Sequence, residues 1–228
     1  MVHFPDAAAS RSEPAGRQFP PLWQKPYRRY LKRGFDVLAV LLAAPVVLPV
    51  ILILGLLIAR DGGSVLYSQD RIGRGGRHFR LWKLRSMVVD AEKRLDEHLT
   101  RDPAARAEWA ATQKLKRDPR ITPVGRLIRK SSLDELPQLW NVLKGEMSLV
   151  GPRPMMPAQA AIYPRDKRCV YESLRPGLTG PWQVSSRNET TFADRARFDI
   201  DYDRRLSLLT DLSLLVSTVR VVLRGTGY

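Results

Sequence analysis

Sulfur and imidazole are nearly absent: one cysteine, Cys169, and three histidines in 228 residues. A lone cysteine excludes an internal disulfide framework and suits a reducing compartment. No His/Cys set has zinc spacing. Acidic residues are also in short supply, with 23 Asp and Glu against 38 Lys and Arg, a formal charge of +15. Such an excess calls for a polyanionic neighbour: nucleic acid, an anionic membrane face or phosphorylated substrates. No nucleic-acid-binding module is recognisable, which turns the expectation away from nucleic acid. The length allows one large domain with a real core.

Residues 1–27, MVHFPDAAASRSEPAGRQFPPLWQKPY, are rich in Pro, Ala, Ser and Gly without periodicity. They read as a flexible tail, and no basic-then-apolar start marks a signal peptide. Residues 28–60 form a second unit. Its run VLAVLLAAPVVLPVILILGLLIA, residues 37–59, has no charge and is long enough to span a bilayer as a helix. Lys25, Arg28, Arg29, Lys32 and Arg33 precede it, and most of the chain's Lys and Arg follow it. Positive flanks favour the cytoplasmic side, so both ends ask to stay there. Pro45 and Pro49 interrupt the run, and a break at Ala44-Pro45 leaves arms of roughly 8 and 14 residues, about 12 and 21 Å. Neither arm crosses a hydrocarbon core of about 30 Å. The expectation is a re-entrant helix, broken at Pro45, with both ends on the cytoplasmic face.

Residues 61–228 read as a cytoplasmic globular domain. Val65–Gln69 and His78–Leu84 alternate around a glycine-rich turn, predicting a β-hairpin on which Phe79, Leu81, Lys83 and Arg85 share a face. Residues 88–113 are polar and helix-forming. Leu139–Leu143 predicts a short helix ended near Gly145, and GPRP at 151–154 holds Arg153 in a restricted backbone. Residues 207–224 form an amphipathic helix that suits either the core or a membrane interface. DIDYD at 199–203 has a metal-binding look, but its neighbours suggest a helix, around which the acids would scatter. The predicted class is α+β and mostly helical: a membrane-associated domain with a re-entrant helix, a small β-hairpin and interfacial amphipathic helices.

KSSLDELPQLWNVLKGEMSLVGPRP, residues 130–154, sets Asp134 and Glu135 side by side. Ser132 to Glu135 fits the capping box, S-x-x-E. Pro137 spoils the simple version, because it removes a helical hydrogen bond one residue past the free N–H groups. Capping and chemistry both remain open for the pair from these residues alone.

The blocks KRGFDVLAV, DGGSVLYSQDRIGRGG, KLRSM, KRDPRITPVGRLIRKSSLDELPQLWNVLKGEMSLVGPRP and RPGLTGPWQVSSRN cover about residues 32–228. In this order they strongly resemble the bacterial monotopic phosphoglycosyl transferases. With RDPAARAEWAATQKL between the blocks, the chain looks closest to the exopolysaccharide galactosyl-phosphate transferases. The resemblance implies transfer of a hexose-1-phosphate from a UDP-sugar to undecaprenyl phosphate, with release of UMP and with magnesium. It also implies a site at the cytoplasmic face of the bacterial inner membrane, among membrane lipid. The family's Asp-Glu dyad maps to Asp134 and Glu135. Asp134 is then the nucleophile that forms an aspartyl-phosphosugar, and Glu135 helps hold magnesium or positions the acceptor. Lys83, Arg85, Arg129 and Arg153 are the expected phosphate contacts. Ala44 stands where the family often has serine before the membrane proline, and Pro181 and Ser186 depart from the common loop pattern. None of these changes touches the dyad. The sugar remains open among galactose, glucose and N-acetylated hexoses, as does a non-catalytic scaffold of polysaccharide assembly.

Overall fold

A computed structural model describes residues 26–112, 115–185 and 194–223. The expected tail lies outside the described residues, apart from its last two, and so does Ser186. Among the described residues the fold is mostly helical, with two small two-stranded sheets.

Helix α1 (Lys32–Ala59) follows one turn of π-helix at Tyr27–Leu31. Together they make a 33-residue helix whose apolar part, 18 residues of mean hydropathy 3.1, is long enough to cross a membrane. It runs on through Pro45 and Pro49, so no gap separates the two expected arms.

Both ends of α1 are fastened to the same globular body. Near its start, Arg33 donates to the carbonyls of Val142 and Leu143. Asp36 accepts from the Ser148 hydroxyl and the Leu149 amide at 3.1 Å each, and Lys32 reaches Asp211 at 2.6 Å. Val40 joins the main core with Phe79, Leu81, Val142, Leu149 and Tyr202. At the far end, Leu54 and Ile58 pack on Leu84 and Ile128. No residue from Leu41 to Ile53 is buried, and Leu42 and Val46 are 72% and 71% exposed. The middle of the helix is therefore a bare aliphatic surface between two packed ends.

The predicted hairpin is present as β1 (Leu66–Ile72) and β2 (His78–Leu84), antiparallel with Tyr67 opposite Lys83 and Arg71 opposite Phe79. Gly75 and Gly76 supply the positive φ of its turn. The polar stretch forms a pair of helices, α2 (Ala91–Arg101) and α3 (Pro103–Thr112). Helix α4 (Pro123–Lys130) begins at Thr122, whose hydroxyl accepts from the Gly125 amide at 2.8 Å, with Pro123 in the first turn. Helix α5 (Gln138–Lys144) ends at Gly145 with φ 82°, as the glycine predicts.

Strands β3 (Ser148–Val150) and β4 (Gly177–Thr179) pair in parallel, with the short helix α6 (Arg168–Ser173) between them in sequence. A Cβ on Gly177 would stand 2.1 Å from the Gly151 nitrogen, so the GPRP and RPGLTGPW loops lie backbone to backbone. After the brief helix α7 (Pro181–Val184) come α8 (Arg195–Arg205) and α9 (Leu208–Leu223). The DIDYD acids lie within α8 and face different partners. Asp199 receives the Tyr163 hydroxyl at 2.8 Å, while Asp203 pairs with Arg28. Helix α9 has one side in the core and one side exposed. Asp211 and Leu214 are buried in the core, while Leu209, Leu212, Val216 and Val219 form an exposed apolar face.

Candidate active site

The acidic pair is held by an irregular piece of backbone. Ser132 adopts φ 57°, the one positive φ of a non-glycine residue among the described residues. That conformation costs roughly 1–2 kcal/mol for a side-chain-bearing residue. It turns the chain from α4 into a single 3-10 turn at Leu133–Glu135, after which Pro137 precedes α5. The expected capping box does not form: the Ser132 side chain makes no cap hydrogen bond. With its backbone left-handed, Ser132 cannot take the extended conformation of an N-cap. Leu133 packs against the Leu54–Ile58–Leu84–Ile128 cluster and so anchors the turn.

The turn presents the carboxylates to β2. Lys83 Nζ lies 2.6 Å from Glu135 Oε1 and 3.4 Å from Asp134 Oδ2. Asp134 is only 7% exposed. Burial raises its pKa above the usual carboxylate value, Lys83 works against that rise, and the neighbouring charge of Glu135 adds to it. Arg129 also favours the ionised form. Its guanidinium donates to the Ser86 hydroxyl at 2.8 Å. The arrangement depends on Gly125, where a Cβ would stand 1.9 Å from the Ser86 carbonyl oxygen. Only glycine lets α4 lie this close to the KLRSM segment and deliver Arg129.

Arg85, two residues from Lys83, serves another purpose. It forks onto Asp61, donates to the Ile58 carbonyl at 3.2 Å and to the Ser64 carbonyl, and so ties down the end of α1. It is not among the cleft-lining residues. Asp61 follows the last turn of α1 and offers a bidentate carboxylate that a guanidinium fork matches. Of the four expected phosphate contacts, Lys83, Arg129 and Arg153 are brought to the cleft or the dyad, and Arg85 is not.

Glu135 of the pair lines a cleft with Arg71, Leu81, Lys83, Gln138, Arg153, Pro154, Gly177, Leu178 and Gln183, and Asp134 meets it through Lys83. The cleft follows one face of the hairpin, because Arg71 stands across from Phe79 and so shares the face of Leu81 and Lys83. Its other end is rich in guanidinium. Arg153 and Arg195 both stand over the Trp182 ring, at 5.8 and 5.3 Å. Arg195 donates to the Arg153 carbonyl, and Arg71 donates to that of Pro154 at 3.0 Å. Burial and the nearby charge of Arg153 push the Arg71 pKa down to about 10. Burial likewise lowers that of Arg195, with Asp199 opposing. Arg71 and Arg153 on the cleft wall suit a multiply charged anion, with the buried Arg195 packed on the same Trp182 ring as Arg153.

Sequence reading missed Arg71, Arg195 and Gln183. Arg71 had a signal, since cross-strand pairing places it on the Lys83 face. Arg195 comes to the site only through the packing of α8 against α7.

The donor set also bears on a divalent cation. Asp134 and Glu135 offer adjacent carboxylates beside Lys83, and no cluster of three or more His, Cys, Asp or Glu groups forms among the described residues. Two carboxylates fit the mode in which magnesium is shared with substrate phosphates and water. They do not make a closed protein cage.

The family model for bacterial sugar transferases matches residues 27–225, so this chain belongs to that family. It is 49% identical over 199 residues to a UDP-galactose-lipid carrier transferase of Erwinia amylovora. It is 47% identical over 199 residues to an undecaprenyl-phosphate galactose phosphotransferase of Salmonella typhimurium. Both alignments cover 87% of this chain and 42% of the relative, so the chain spans less than half of those proteins. The exopolysaccharide production protein ExoY of Rhizobium meliloti is 44% identical over 205 residues, with 89% of this chain and 90% of that one covered.

Proposed function

We propose that this protein transfers galactose 1-phosphate from UDP-galactose to undecaprenyl phosphate, releasing UMP, as the first step in assembling an exopolysaccharide repeat unit. One observation carries the reading. The buried Asp134 and its neighbour Glu135 are both met by Lys83, on the wall of a cleft that Arg71 and Arg153 also line. The names of the relatives support the donor, the acceptor and the pathway.

The chemistry follows from the charges. Lys83 and Arg129 keep Asp134 ionised and draw the sugar-bearing phosphate of the donor against it. An Asp134 carboxylate oxygen forms a bond to that phosphorus while the bond to the UMP oxygen breaks, and UMP carries the electron pair away. Arg71, Arg153 and Arg195 hold the departing phosphate. An oxygen of undecaprenyl phosphate then bonds to the same phosphorus, the aspartyl bond breaks, and Asp134 returns as a carboxylate. Glu135 orients Lys83 and the acceptor. Magnesium, held by Asp134 and Glu135 together with phosphate oxygens, would lower the repulsion between carboxylate and diphosphate.

The same reading accounts for the shape of the molecule. Both ends of α1 pack on one body, which supports entry and exit on one face, the cytoplasmic face of the inner membrane. The bare middle of α1 then sits in lipid, and the exposed face of α9 lies along the interface. The test is UMP release by the full chain in lipid nanodiscs. Release that needs undecaprenyl phosphate and prefers UDP-galactose is expected. A preference for another UDP-sugar would correct the sugar, and no release from any UDP-sugar would overturn the activity.

A further inference from the structure

Gln183 lies on the cleft wall and is 7% exposed. Neither its amide nitrogen nor its amide oxygen has a hydrogen-bond partner among the described residues. Both amide atoms are themselves buried, and buried amides are normally satisfied, so an unpartnered one on a cleft wall points to a complement that binds there. A primary amide sets a donor beside an acceptor, which matches a neutral edge carrying the same pair in reverse order.

The position of Gln183 says which neutral edge this is. Lys83 and the residue opposite Arg71 are four positions apart on β2, about 13 Å along the ribbon. The dyad stands at the Lys83 end. A Cβ on Gly180 would stand 3.1 Å from Gln183 Oε1 and 2.1 Å from the Gly151 carbonyl oxygen, which sets the Gln183 amide beside the GPRP loop that carries Arg153. A nucleotide sugar with its reacting phosphorus at Asp134 and its other phosphate on the arginines extends its nucleoside past them.

We propose that Gln183 reads the uracil of the donor, its Oε1 accepting from uracil N3–H and its Nε2 donating to an adjacent uracil carbonyl oxygen. This rests on the functional reading above, in which a UDP-sugar occupies the cleft. It makes Gln183 a specificity residue for the nucleotide, separate from the groups that handle phosphorus.

The test is equilibrium binding of UMP and of 3-methyluridine 5′-phosphate, which lacks the N3 proton, to the full chain in nanodiscs. Wild type and Gln183→Leu are compared, with the thermal unfolding midpoint of each as a check that the variant folds. Wild type should favour UMP by about ten- to a hundredfold, and Gln183→Leu should bind the two alike. Equal binding by wild type overturns the proposal without recourse to the variant. A preference that survives in Gln183→Leu also overturns it. So does unchanged UMP affinity with an altered choice among UDP-sugars, which would place Gln183 against the sugar. Failure of wild type to bind UMP at all would remove the functional reading, and this inference with it.

Discussion

The two ends of the cleft treat negative charge in opposite ways. At one end Asp134 is buried beside a second carboxylate, and one lysine contacts both. At the other, Arg71 and Arg195 lose basicity mainly through burial, with the nearby charge of Arg153 adding to it. On the proposed reading the first end makes Asp134 reactive by desolvating it, and the second holds an anion of the substrate. Lys83 with its carboxylates and Arg71 are kept apart along one face of a hairpin, with Leu81 between them.

The sharpest way to break this contrast is to remove the reactive anion. Asp134→Asn should lower turnover by at least about 10³-fold, read as UMP release, because no other group at that end can form the covalent bond. The same change should raise the thermal midpoint by a few degrees. Burial raises the Asp134 pKa, so at neutral pH its ionised form is less favoured in the folded chain than in the unfolded one, and a neutral amide relieves that cost.

Lys83→Met comes next, with a loss in kcat of about 10²-fold expected. It should also shift the acid limb of the kcat–pH profile to higher pH. Lys83 favours the Asp134 anion, so its loss raises the Asp134 pKa further and requires a higher pH to ionise the nucleophile. Arg153→Lys keeps the charge at the other end but loses the planar fork and its stacking on Trp182. The expected outcome is a rise of about tenfold in KM for the UDP-sugar, with kcat changed less. Equal losses in kcat from Lys83→Met and Arg153→Lys would erase the division of labour. The smallest chemical effect is expected from Arg85→Met, which should leave KM within about twofold while lowering the thermal midpoint, since Arg85 fastens α1 through Asp61 and Ile58.

Local patterns proved readable where local physics decides. The hairpin, the Gly145 helix stop and the polar helical pair follow from alternation, glycine and composition, and all are present. An ordered set of motifs singles out Asp134 and Glu135, and the structure sets Lys83 against both. What escaped depends on contacts distant in sequence. Ser132 has the residue type of a cap, yet the tight turn between α4 and α5 forces it left-handed. Lys83 and Arg85 share a strand face, yet Asp61 captures only the second. Arg195 offsets the buried Asp199, and the packing of α8 also brings it over Trp182. The unbroken course of α1 through two prolines shows that a proline count alone does not decide where a helix ends.

The central claim is that Asp134 carries the sugar phosphate covalently. The most direct measurement is the intact mass of the protein after incubation with magnesium and UDP-galactose in the absence of lipid acceptor, beside Asp134→Asn. A hexose-phosphate adduct on the wild type alone, discharged on adding undecaprenyl phosphate, is the predicted result. Absence of an adduct with every UDP-sugar tried, while lipid-dependent UMP release persists, would contradict it and assign the reaction to direct transfer between the two substrates.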